Sequence, residues 1–136
     1  MAFWGAPIDQ PDQADRAVRT AINMVGRLKQ LREKWRSEGV SGDLDAGIVI
    51  NLGIATVGNL GSTRRFDYTL VGDAVNAASR IEQLNKEYKS HIIISETTKA
   101  QLTISVPTKD LGDVQVRGRE RPIRVYEVDV DARHTE

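Results

Sequence analysis

Cysteine is absent from all 136 residues. This excludes disulfides, thiolate metal sites and a cysteine nucleophile, and it is compatible with a reduced, cytoplasmic setting. An excess of charge of either sign is also missing. The 19 Lys and Arg balance the 19 Asp and Glu, for a formal net charge of zero. That balance gives no electrostatic reason to expect nucleic acid or an acidic membrane surface as a partner. No apolar run approaches the roughly 20 residues needed to cross a bilayer. The opening Met-Ala-Phe-Trp-Gly-Ala-Pro has no basic n-region and no long h-region, so it does not read as a signal peptide. It reads instead like the end of a strand running into a turn. Histidine is scarce: His91 and His134 offer no metal-ligand spacing. There is no internal repeat and no low-complexity stretch.

The chain has the length of one domain. At 40% hydrophobic and 28% charged residues, its composition is that of an ordinary globular protein. After Gly5 and Pro7 break the first apolar run, Asp9 and Asp12 are plausible helix caps and Asp15 adds negative charge to the first turn. Ala14, Ala17, Ala21, Met24, Leu28, Leu31 and Trp35 then recur at spacings of three and four, widened by Val18, Ile22 and Val25. This predicts one face of a long helix, stopped by Gly39. Residues 44–57 alternate, with Leu44, Ala46, Ile48, Ile50, Leu52 and Ile54 on one face of a strand. Gly58-Asn59-Leu60-Gly61-Ser62 reads as a turn, followed by a strand around Arg65–Val71. Asp73 could cap a helix carrying Ala74, Ala77, Ala78, Ile81, Leu84 and Tyr88. His91–Ser95 reads as a short buried strand and Glu96–Leu102 as a short helix. Val114–Val116 and Ile123–Val128 read as a hairpin around Gly118-Arg119-Glu120-Arg121. The expected class is α+β, an α/β sandwich with one sheet. Residues 1–128 form the domain and 129–136 a polar tail.

Residues 47–80 read GIVINLGIATVGNLGSTRRFDYTLVGDAVNAASR. This stretch closely resembles the class III adenylyl and guanylyl cyclases, whose pattern runs VGN-x-GS, then R-x-[DE/F]-[YD]-T, then G-D-x-V-N-x-A-[AS]-R. HIIIS with its short helix, LGDVQVRGRERPIRVYEV and the opening MAFWGAP resemble further segments of the same family, so the likeness covers residues 1–128. It implies a ferredoxin-like cyclase fold. It also implies active sites built across a head-to-tail pair of domains, with ATP as substrate and two divalent ions, Mg or Mn, as cofactors. By the matching motif, Asn76 and Arg80 would be the catalytic Asn and Arg, acting on the ribose and the triphosphate. An Asn and an Arg four apart near a helix start are, by themselves, a capping residue and a solvated cation; the surrounding motif reverses that reading. The i, i+4 spacing places both on one side of a helix. Thr69 stands at the position resembling the purine-selecting residue, where a hydroxyl can accept a hydrogen bond from the exocyclic amine of adenine. Arg119, with Arg117 beside it, matches the family's cation for the terminal phosphates, although an RGRER tip alone is an ordinary solvated turn.

The family's two metal-binding Asp residues lie in an N-terminal strand and a hairpin that precede the segment resembling MAFWGAP. The resemblance therefore implies a cyclase fold truncated at its N-terminus, without metal ligands and inactive alone. Asp67 and Asp73 read as structural residues. The loss of a central first strand would leave the strand at 44–54 with an unpaired edge, which invites pairing with another chain. Besides an enzyme that makes cyclic AMP, the sequence leaves open a non-catalytic module that binds a nucleotide or a partner cyclase domain. A generic nucleic-acid binder is disfavoured, because the glycine turn lacks G-K-[ST] and the basic run Arg27–Arg36 faces away from the apolar stripe. Asn51-Leu52-Gly53 stands where many members read His/Asn-Thr-Gly, and the sequence ascribes no catalytic role to it.

Overall fold

The computed structural model describes residues 2–5, 8–40, 46–53, 56–60, 67–88, 91–116 and 121–130. Its centre is a four-stranded mixed sheet in the order β1-β4-β6-β5. The strands are β1 (Ile48–Ile50), β4 (Ile92–Ser95), β5 (Thr108–Val114) and β6 (Ile123–Val128). β1 runs parallel to β4, and β6 is antiparallel to both β4 and β5. A separate antiparallel hairpin joins β2 (Thr56–Leu60) to β3 (Asp67–Val71). Three helices complete the fold: α1 (Gln13–Ser37), α2 (Asp73–Tyr88) and α3 (Glu96–Gln101).

Alternation along the strands divides the core in two. Ile92 and Ile94 of β4, with Ile48 and Ile50 of β1, pack against Val18, Ala21 and Ile22 of α1. Ile93 and Val49 point the other way, toward Ala77 and Ile81 of α2 and toward Val114, Val116, Ile123 and Val125. The sheet is thus covered by α1 on one face and α2 on the other, the α+β sandwich expected from the sequence, although the β2–β3 hairpin forms a second sheet where one was expected.

α1 begins and ends as the sequence predicts, but only its first half is core. Ala14, Ala17, Val18, Ala21 and Ile22 are buried, while Met24 is 56% exposed and Leu28, Leu31 and Trp35 are only half-buried. The reason is length: 25 residues extend about 37 Å, farther than the short strands beneath can cover. Its C-terminus is closed by Gly39 at φ 79°. The Gly39 N–H donates to the Arg36 carbonyl and the Val40 N–H to that of Trp35, the paired bonds that a left-handed residue after a helix permits. Asp12 stands at the N-cap without making the capping bond; its carboxylate instead accepts from Arg16 Nε at 2.9 Å.

Three expectations are corrected. The single strand over 44–57 is two strands, because the chain leaves the β1 ladder at Asn51, whose side chain is held by α2. Gly58-Asn59-Leu60 is not a turn but part of β2, with Gly58 opposite Thr69; cross-strand pairing outweighs the turn preference of Gly and Asn. The last hairpin starts at Thr108 rather than Val114. Lys109, Asp110 and Asp113 are exposed on this edge strand, so its polar sequence lacks the apolar alternation by which strands are recognised. After β6, the Asp129 N–H donates to the Pro107 carbonyl, and Val130 packs on the α1 side of the core.

Candidate functional site

The start of α2 is fixed by its own backbone and by the end of β1. Gly72, at φ 144°, turns the chain from β3 into the helix. Its carbonyl accepts the N–H groups of Val75 at 3.1 Å and Asn76 at 3.2 Å, two donors that the first turn of a helix would otherwise leave unpaired. Asp73, expected as the cap, is instead the first residue of the helix and is exposed. Asn76 and Arg80 follow on exposed positions one turn apart. Ala77 and Ile81, each 0% exposed, anchor the neighbouring side of the helix, about 100° round from that pair, in the core. This arrangement presents an amide and a guanidinium together, on a helix face that the core holds still.

Of the other residues singled out in the sequence, Thr69 lies in β3, the strand that leads through Gly72 into α2; its side chain lies outside the described residues, as do Arg117 and Arg119 entirely. The structure therefore brings together Asn76 and Arg80.

A groove of about 560 Å³ runs beside the open edge of β1. Phe3, Trp4, Ala14, Ala17, residues 49–53 and the Ala74, Ala78 and Glu82 side of α2 line it. Neither Asn76 nor Arg80 does, so the groove and the polar pair occupy different flanks of the same helix. Asn85, one turn past Ile81, is 5% exposed, and both its polar side-chain atoms are unpaired among the described residues. A Cβ on Gly47 would lie 2.2 Å from its Nδ2, so the bare glycine is what admits this side chain beside the start of β1. Among the described residues no group of three His, Asp or Glu side chains gathers where a metal could be held. These residues do not fit a divalent-ion site. No helix among them is long and apolar enough to cross a membrane.

A model of the adenylate and guanylate cyclase catalytic domain matches residues 1–129. The chain belongs to this family. It is 34% identical over 128 residues to adenylate cyclase 1 of Rhizobium meliloti (strain 1021), a match covering 94% of this chain and 19% of that protein. The crystal structure of the adenylyl cyclase CyaB from P. aeruginosa superposes with a TM-score of 0.74 at 35% identity, covering 93% of this chain and 64% of that one. The guanylyl cyclase Cya2 gives a TM-score of 0.70 at 31% identity, over 92% of this chain and 62% of that chain. The chain thus spans about a fifth of the R. meliloti protein and just under two thirds of either solved cyclase chain. The cyclase fold predicted from residues 47–80 is present.

Sequence reasoning missed two parts of this region. In the sequence Asn51 stands out only as part of a departure from the family pattern, yet it is the side chain that ties β1 to α2. Thr97 and Thr98 fall within the short helix expected over Glu96–Leu102, and both bond to carbonyls at or just past the end of β1. The available signal was the run Ser95-Glu96-Thr97-Thr98, three hydroxyls at the mouth of a buried strand.

Proposed function

We propose that this chain is the ribose- and phosphate-handling part of an adenylate cyclase catalytic unit, converting ATP to cyclic AMP and pyrophosphate. The observation that carries the reading is the Asn76–Arg80 pair, exposed one turn apart on a helix whose neighbouring face is locked in the core. In this reaction the ribose 3′-oxygen attacks the α-phosphorus in line. The new O–P bond forms as the bond to the bridging β-phosphate oxygen breaks, pyrophosphate leaves with that oxygen, and the 3′-hydroxyl proton passes to water. Negative charge grows on the phosphoryl oxygens, where the permanently charged fork of Arg80 is suited to meet it. Asn76 has both a donor and an acceptor with which to orient the ribose. Removing a preorganised donor of this kind typically lowers turnover by about 10²–10³. Thr69 and Arg119, with Arg117, complete the reading as base-selecting and terminal-phosphate residues. The choice of ATP over GTP rests on Thr69, since guanylyl as well as adenylyl cyclases resemble the chain.

The described residues do not fit a divalent-ion site. The carboxylates for two Mg or Mn ions would come from outside those residues, and the chain alone is expected to lack turnover. A chain without turnover of its own would serve as a nucleotide-binding or partner module without catalysis. The test is incubation with ATP and Mn²⁺, with GTP in parallel, reading both cyclic nucleotide formed and ATP bound. ATP binding without turnover is the expected result, with affinity reduced about tenfold or more in Arg80→Ala. Cyclic AMP formation would overturn the claim of inactivity, and unchanged affinity in Arg80→Ala would remove Arg80 from the site.

An active site shared between two domains requires a partner. β1 is an edge strand with apolar, half-buried residues, Ile48, Val49 and Ile50, whereas the opposite edge strand β5 carries exposed charges. An apolar edge of this kind is a template for pairing with a second copy. Sedimentation of the chain should show at least a dimer; a monomer across micromolar concentrations would count against pairing through β1.

A further inference from the structure

We propose that Asn51 is a positioning residue that, with Gly53, sets the first turn of α2 and thereby places Asn76 and Arg80. The inference rests on the reading of those two as nucleotide-handling residues. Asn51 follows directly on β1, and its Nδ2 donates to the Ala74 carbonyl at 2.9 Å, across 23 residues of sequence. Because the partner is a carbonyl, the amide orientation is fixed by chemistry: only the NH₂ end can face it. Ala74 lies two residues before Asn76, in the turn whose N–H groups already close on Gly72. The bond therefore clamps this turn from the sheet side while Gly72 clamps it from the hairpin side.

The donor is itself held in place. The Thr97 hydroxyl donates to the Leu52 carbonyl at 2.8 Å, with Asn51 Oδ1 3.5 Å away. The Thr98 hydroxyl donates to the Ile50 carbonyl at 3.2 Å. Ser95 Oγ stands 3.0 Å from both threonine oxygens; with both threonine protons given to carbonyls, its own proton goes to one of them at a time. Backbone carbonyls on either side of Asn51 are thus fixed by α3, and Ser95 and Thr98 are fully buried. A steric contact acts in the same place. A Cβ on Gly53 would lie 2.8 Å from the Ala74 Cβ, closer than carbon atoms approach, so the first turn of α2 sits against bare backbone. One side chain pulls this turn toward the sheet and one missing side chain lets it come close. The face that carries Asn76 and Arg80 inherits the resulting angle.

The experiment compares the full chain with Asn51→Leu, Asn51→His and Thr97→Val. Leucine keeps the shape and removes the donor, whereas the Nδ1–H of a neutral histidine can replace the amide N–H. Amide hydrogen exchange is read at Val75 and Asn76, and ATP affinity is read by equilibrium dialysis. Asn51→Leu should speed exchange at these two amides about tenfold and weaken ATP binding by a similar factor. Exchange in β4 and β6 should stay unchanged, and Asn51→His should restore both readings. Thr97→Val should give the same local pattern, smaller in size, and serves if Asn51→Leu does not fold. Equal acceleration throughout the sheet, or no acceleration at Val75 and Asn76, would overturn the proposal. If the unmodified chain fails to bind ATP, the nucleotide reading falls, and local exchange still decides whether Asn51 holds α2.

Discussion

Replacing Ile81 with alanine should lower folding stability by about 3–4 kcal/mol, within the range for emptying a large aliphatic site in a closed core. Ile81 is 0% exposed and packs among Ala77, Ile93, Val114, Val116, Ile123 and Val125. The cost should be high because, among the described residues of α2, little else holds the helix to the core. Its other buried apolar contact in the cluster is an alanine, and Ala74 and Ala78 are only half-buried. Neither the sheet, tied by its ladder bonds, nor a helix clamped at Ala74 can readily collapse into the space, so most of the cavity should persist. Ile81→Val should cost only about 1 kcal/mol. Urea unfolding followed by tryptophan fluorescence would measure both, with a shifted midpoint at constant slope as the expected form. A loss below about 1.5 kcal/mol for Ile81→Ala would mean that α2 moves to fill the void. In that case Arg80, the residue just before it in the chain, would move with it, and ATP affinity would drop more than the stability change alone suggests.

What the sequence disclosed, and what it hid, follows from the range of the interactions involved. The helix that carries Asn76 and Arg80 was legible because motif and helical period are both local, and α2 forms where they place it. Ile92–Ser95 was legible as a buried strand because four residues buried on both faces of a sheet leave an unbroken apolar run. The start of β5 was not, since a charged edge strand is recognised only through its partner: Thr108 pairs with Val128, twenty residues on. The break after Ile50 was hidden for a related reason. Alternation continues through Leu52 and Ile54, and only the reach of Asn51 to α2 shows why the ladder stops. The second half of the α1 stripe misled in the opposite direction. Its periodicity is genuine, but periodicity says nothing of how far a sheet extends beneath a helix.

Asp15 is the clearest case of a local reading replaced by a distant one, and Asp15→Ala is expected to cost about 2–3 kcal/mol. In sequence it is one more acidic residue in the first turn of a helix. In the fold it is 4% exposed and accepts the Thr103 N–H at 2.8 Å, the Ile104 N–H at 3.3 Å and the Thr103 hydroxyl. It joins the start of α1 to the segment between α3 and β5, 88 residues away in the chain. Truncation takes the acceptor from two backbone donors and a hydroxyl at once, which is the expensive way to lose a hydrogen bond. The Thr103 hydroxyl first, then the Thr103 and Ile104 amides and the charge of Arg19, hold this carboxyl below its ordinary value, against the opposing effect of burial. A carboxylate with a depressed folded pKa contributes stability that is complete above the unfolded value and disappears as pH falls through the folded one. Acid unfolding of the unmodified chain should therefore show a loss of stability beginning near the usual carboxylate range and continuing below it. Asp15→Asn, which keeps the shape but cannot be a three-fold acceptor, should flatten that part of the profile and be less stable at neutral pH. If Asp15→Asn instead matches the unmodified chain at pH 7 and keeps the same acid slope, the tie between α1 and Thr103 is carried by shape alone, and the acid sensitivity belongs to other carboxylates.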